Sequence, residues 1–325
     1  MKPAPLHRFL LPILTPVLMS AAVSLSGPVA GYLSNASGTE LRAITGVPGA
    51  FGFSDPITLP DEVTRVRVAP AQDYALAERG TGDPAILFLA GGAIDHQLPA
   101  AGLMPAADWA AFSPTATAAI LYAASANRLQ VVSGLPNSPQ ILLDLDTTTL
   151  PEAPLTAAVS DDGKLVLVAS GQAVYRIPQK GAAQLVLSAG EVVSLAVLRN
   201  GTDAVVSDRS TASVHLLQNV ASSLTTHVLV SDLAGIGKLN PSADGATLFV
   251  AQPGAKAVSI IDLASGAVQS SSTDVPPEEF YPLRNRDTFL ISAKPGEPGW
   301  IYFRDGTAGR AAFVPAVKAA TETLQ

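Results

Sequence analysis

The chain predicts an all-β fold, a seven-bladed β-propeller preceded by a cleavable signal peptide, and three observations carry that prediction. Hydrophobic residues make up 48% of the 325 residues and charged residues 14%, which is enough to bury a large core and too little charge for a disordered chain. The 26 glycines and 26 prolines are scattered, as in a chain of many short strands separated by tight turns. A strand–turn–strand unit also recurs with a period of about 43 residues.

The first segment differs from the rest. Lys2, His7 and Arg8 precede an uncharged apolar stretch from Phe9 to about Val23, and small residues stand at and just beyond its end, at Ser20, Ala21, Ala22, Ser24 and Ser26. Pro12 and Pro16 interrupt a run already shorter than the ~20 residues of a membrane-spanning helix, so cleavage is expected rather than retention as an anchor. Residues 1–22 are read as the signal, 28–316 as the propeller and 317–325 as a C-terminal tail. A periplasmic or extracellular location follows, with no membrane span in the mature chain. Losing Lys2 and Arg8 takes the formal charge from −7 to −9, and no run of Lys and Arg offers a stripe for a phosphate backbone. Nucleic acid is therefore not an expected partner. The absence of cysteine removes disulfides, thiolate metal sites, thiol catalysis and a lipid-anchored N-terminus together.

The repeat is clearest at residues 240–270, NPSADGATLFVAQPGAKAVSIIDLASGAVQS. Asp244–Gly245 makes a turn, Thr247 to Ala251 a strand, Pro253–Gly254 a second turn and Val258 to Leu263 another strand. Residues 159–170, VSDDGKLVLVAS, keep the Asp-Gly turn at Asp162–Gly163, and Asn200–Gly201 repeats it in a third copy. Equating Ala75, Ala119, Val166, Ala204, Leu248 and Phe289 gives spacings of 44, 47, 38, 44 and 41. One further period back reaches Tyr32, which makes seven units. The first unit shows no obvious inner strand of its own, so either the segment around Ala311 to Ala316 completes it or that segment is the outer strand of the last blade. Two β-sandwiches are the competing architecture, but they would not require the same turn at the same offset.

The segment PSADGATLFVAQPGAKAVSIIDLASG resembles the repeats of YVTN-type, lactonase-like bacterial propellers through Pro241, Asp244, Gly245, Val250, Ala251, Val258, Ile261 and Asp262. The match covers one blade well and the blade at Val159 in part. It implies a propeller, and in that family these residues are structural, so the resemblance bears on fold rather than activity. Lactonase-type enzymes on this fold would show His, Glu and Arg lining one channel face.

Against that pattern the mature chain carries His96, His215 and His227. His215 and His227 fall in expected strands. His96 follows Asp95 in what reads as a Gly-rich loop, which makes it the candidate catalytic residue of the alternative, hydrolytic reading. No metal-ligand spacing, nucleophile elbow, P-loop or dinucleotide fingerprint is present, and no cofactor is expected. Glu278–Glu279 reads as solvated, and Trp109 and Trp300 do not make a repeated stacking platform.

The primary expectation is a monomeric, non-enzymatic binding or interaction propeller with its contacts on the loops of one face. The connections between second and third strands carry Arg79, Arg128, Arg209, Lys256 and Lys294, one in each of five blades. They are expected to form a positive rim for an anionic small molecule or an acidic protein segment, provided that they converge and stay unpaired. The alternative is separate solvated residues paired with neighbours such as Glu78, Asp208 or Glu297.

Overall fold

A computed structural model describes residues 27–293, 297–306 and 308–316. It is all-β: seven antiparallel sheets follow one another along the chain, spanning residues 29–57, 63–99, 109–146, 154–188, 192–230, 239–272 and 281–314. In each sheet the strands lie in chain order, and the first strand is innermost. These inner strands are Val29–Ser34, Val63–Val68, Trp109–Phe112, Pro154–Val159, Val192–Val197, Leu239–Pro241 and Tyr281–Pro282. The molecule is a seven-bladed propeller.

The core is divided among the seven junctions between adjacent blades, one apolar cluster to each. Strand periodicity explains how one strand serves two junctions. In blade 4, Val166 and Val168 point to blade 3, whereas Leu165, Leu167 and Ala169 point to blade 5. Both faces are buried, so second strands such as residues 118–123 and 247–252 are buried throughout and, over 118–123 and 248–251, read as continuous apolar runs.

The repeat register found in the sequence is the structural register. Ala75, Ala119, Val166, Ala204, Leu248 and Phe289 each pair with an inner-strand residue seven positions earlier: Val68, Phe112, Val159, Val197, Pro241 and Pro282. Blade 1 departs from the count. Tyr32 lies on its inner strand opposite Ala43, and the residue equivalent to Ala75 is Leu41, opposite Ser34. The blade has three strands instead of four, which is why its spacing to blade 2 is short. It therefore has an inner strand of its own, and Ala308–Val314 is the outer strand of blade 7. Among the described residues no sheet takes strands from both chain ends. The signal segment and the C-terminal tail lie outside the described residues.

Candidate functional site

The hairpin joining first and second strands has one construction in six blades. The residue opening the turn receives a hydrogen bond from the residue three positions on, and that later residue takes a left-handed conformation: Gly38, Gln72, Ala116, Gly163, Gly201 and Gly245. Asp162 and Asp244 stabilise it further. Each accepts from the serine two residues before it and from the backbone N–H two residues after it. These bonds hold both carboxyls below the usual carboxylate range, although burial, which opposes them, is the largest influence on Asp162.

Because every blade keeps the same strand order, its first-to-second-strand turn emerges on the same face, and on that face an axial funnel of about 590 Å³ opens. Its walls are the last residues of the inner strands, including Ala157–Val159, Leu195–Val197 and Leu239–Pro241, with the turns of blades 2, 3, 5, 6 and 7 at the rim. Six ionisable residues line it: Arg199, Lys238, Glu279, Arg284, Arg286 and Asp287. Glu279 is paired with Lys238 at 3.3 Å. Asp287 accepts the Ala243 N–H of blade 6 at 2.9 Å and faces Arg304 at 3.7 Å. Arg284 is clamped on main-chain carbonyls, to Gln72 at 3.0 and 3.2 Å and to Leu89 at 3.2 Å, with its guanidinium 5.3 Å from the Tyr32 ring centre. Arg199 and Arg286 are exposed, and neither side chain has a hydrogen bond or ion pair among the described residues.

Of the residues expected to form a positive rim, Arg79, Arg128, Arg209 and Lys256 lie on the opposite face, at the second-to-third-strand connections where the repeat put them. Their electrostatics differ from the expectation. Arg128 makes a two-pronged pair with Asp144, one bond at 2.6 Å, and the salt bridge raises the guanidinium pKa and lowers that of the carboxyl. Arg209 pairs with Glu191 at 2.5 Å, and Arg79 lies 3.8 Å from Glu62 and bonds Gln97 at 3.2 Å. Lys256 caps a turn in the left-handed conformation, exposed and without an ion pair among the described residues, while Lys294 lies outside them. Three of the four described cations are thus matched by acids. The outer strands and blade junctions supply those partners, which differ from the Glu78 and Asp208 that sequence proximity suggests.

His96 is in the outermost strand of blade 2, Ala93–Pro99, stacked on Phe88 at 4.1 Å and bonded to Asp95 at 2.8 Å. Gly91 and Gly92, both left-handed, complete the turn before it, so the Gly-rich loop ends earlier than expected and His96 lies away from the funnel. His215 and His227 are strand residues, and burial holds the half-buried His215 below its usual pKa. Glu279, expected to be only solvated, belongs to the funnel wall. Sequence reasoning missed Arg199, Arg284 and Arg286, although a signal existed: Arg199 and Arg284 each precede an Asn at the turn position already identified.

No family model matches the chain, and no curated protein matches it. Solved structures do. A protein from Lactobacillus plantarum superposes with a TM-score of 0.55 at 12% identity, covering 88% of this chain and 94% of that one. The "putative 6-phosphogluconolactonase" of Bacteroides fragilis gives 0.54 at 12% identity, over 88% and 92%. Hsv2 from Kluyveromyces lactis gives 0.53 at 8% identity, over 73% of each chain. The fold is shared. At these identities the likeness concerns architecture alone, since one fold hosts many functions.

Proposed function

We propose that the protein is an exported, monomeric ligand-binding propeller of the YVTN type whose ligand enters the axial funnel from the Asp-Gly turn face. The observation that carries this reading is the funnel itself, whose ~590 Å³ falls in the range of small-molecule sites and whose rim is built from turns held by repeated hydrogen bonds. Such a rim needs little reorganisation on binding. Export rests on Lys2, Arg8 and the apolar run after them; among the described residues no helix is long and apolar enough to cross a membrane. The YVTN assignment rests on the repeat at residues 240–263. A lactonase-like hydrolase is the second reading, supported by the fold shared with the Bacteroides fragilis protein; on this chain it would need funnel residues rather than His96.

One measurement tests both halves of the proposal. Native mass spectrometry of protein recovered from an extracytoplasmic fraction is expected to show an N-terminus between Val23 and Gly31 and a bound small molecule that is lost on unfolding. An intact Met1 on cytoplasmic protein would end the export reading. A chain that never retains or binds a small molecule would end the binding reading.

A further inference from the structure

Resting on the reading of the funnel as a ligand site, we propose that its mouth recognises a small anion, a phosphate or carboxylate group held by Arg199 and Arg286 with the charge of Arg284 beside them. The lining has four cations and two carboxylates, and both carboxylates are engaged: Glu279 with Lys238, Asp287 with the Ala243 N–H and Arg304. Arg199, Arg284 and Arg286 are left without a carboxylate partner among the described residues. This happens in a chain whose formal charge is −7.

Adjacent turns carry the three arginines. Arg199, on the turn of blade 5, leans onto the turn of blade 6, where its Cβ lies 3.6 Å from the position a Cβ on Gly245 would take. That turn is bonded through Ala243 to Asp287 of blade 7, whose own turn carries Arg284 and Arg286. Arg284 is fixed by its three bonds to carbonyl oxygens, which neutralise none of its charge. Arg199 and Arg286 can swing onto a ligand without breaking an internal pair. Guanidinium groups stay protonated, accept no hydrogen bonds and match the paired oxygens of phosphate and carboxylate. Cations gathered around a concave mouth focus their field there. On the opposite face Arg79, Arg128 and Arg209 are already occupied by Glu62 and Gln97, Asp144 and Glu191.

The test is calorimetric titration of the folded, signal-free protein with inorganic phosphate and with citrate, at low and at high salt. The wild type is expected to bind one or both, more weakly as salt rises. The variant R199A/R286A is expected to bind at least about tenfold more weakly with an unchanged melting temperature, since two hydrogen bonds to a charged group are removed and no internal hydrogen bond or ion pair is lost. R199Q/R286Q, close to isosteric, gives the same result if the alanine variant folds poorly, and K256A on the opposite face binds as the wild type does. Stronger binding of phosphate or of citrate tells which anion the ligand carries. Failure of the wild type to bind either probe at low salt would overturn the proposal, as would equal binding by the double variants or an equal loss in K256A. A neutral molecule retained in native spectra of both wild type and R199A/R286A would overturn the anion assignment while leaving the funnel as a binding site.

Discussion

Asp208 shows how a single side chain can hold a blade junction in place. It is buried at the end of the second strand of blade 5, and its carboxylate accepts from the N–H groups of Gly190, Glu191 and Ser210 and from the Ser210 hydroxyl. Burial alone would raise its pKa; the hydrogen bonds outweigh it and hold the group at about 2. A carboxyl depressed on folding adds stability above its unfolded pKa and loses it as pH falls through the folded value. The expected contribution near neutral pH is about 2 kcal/mol. Urea unfolding of Asp208→Asn should show that deficit at pH 7, and the gap from wild type should close between about pH 4 and pH 2. A gap that stays constant over that range would mean that the carboxylate charge is not the source.

At the scale of the element, the first-to-second-strand hairpin separates backbone preference from packing. Gly163 and Gly201 occupy the same turn position with φ of 73° and 72°, so alanine suffers the same left-handed penalty at both, about 1–2 kcal/mol. Their surroundings differ. A Cβ on Gly163 would lie 2.5 Å from Cδ1 of Leu142 on the neighbouring blade, whereas a Cβ on Gly201 meets nothing within 4 Å. Gly163→Ala is therefore expected to destabilise more than Gly201→Ala, by about 1 kcal/mol or more, in chemical denaturation. Equal losses would show that the Leu142 contact relaxes freely. Gln72 and Ala116 hold the same conformation without glycine, and each has a compensating role. The Gln72 amide bridges blades, and the Ala116 carbonyl accepts the buried Tyr74 hydroxyl at 2.5 Å.

Across the whole molecule the weak point of any propeller is where the ring closes, and among the described residues no sheet combines strands from both chain ends to fasten it. The three-stranded blade 1 is held by side chains from its neighbours. Gln72 of blade 2 accepts the Tyr32 N–H of blade 1 at 2.5 Å and donates to the Pro282 carbonyl of blade 7 at 2.6 Å. Gly31 must lack a side chain for this, since a Cβ there would lie 2.9 Å from the Gln72 oxygen and 2.8 Å from Leu283. Gln72→Ala would leave two main-chain groups unpaired at a closed junction, at a cost of about 2–3 kcal/mol. Hydrogen exchange of that variant should quicken first in residues 29–47 and 281–292, ahead of blades 3 to 5. Uniform quickening, or none, would mean that the seam opens with the rest of the ring.

The sequence by itself determined the all-β class, the seven units, the turns and the register of six blades, because these depend on local chemistry that repeats: left-handed turn positions and apolar runs at a fixed offset. It placed Ala75 and its five equivalents correctly for that reason. The register of blade 1 was misplaced, at Tyr32 instead of Leu41, because a three-stranded blade shortens the period and no residue announces the shortening. Only the tertiary structure decided which charges are free. Arg128 and Arg209 are silenced by Asp144 and Glu191, 16 and 18 residues away along the chain, while Arg199 and Arg286 have no carboxylate partner among the described residues, in a mouth assembled from different blades. Ion pairing depends on distances of a few ångströms between chain-distant groups, and closure of the ring is what sets those distances.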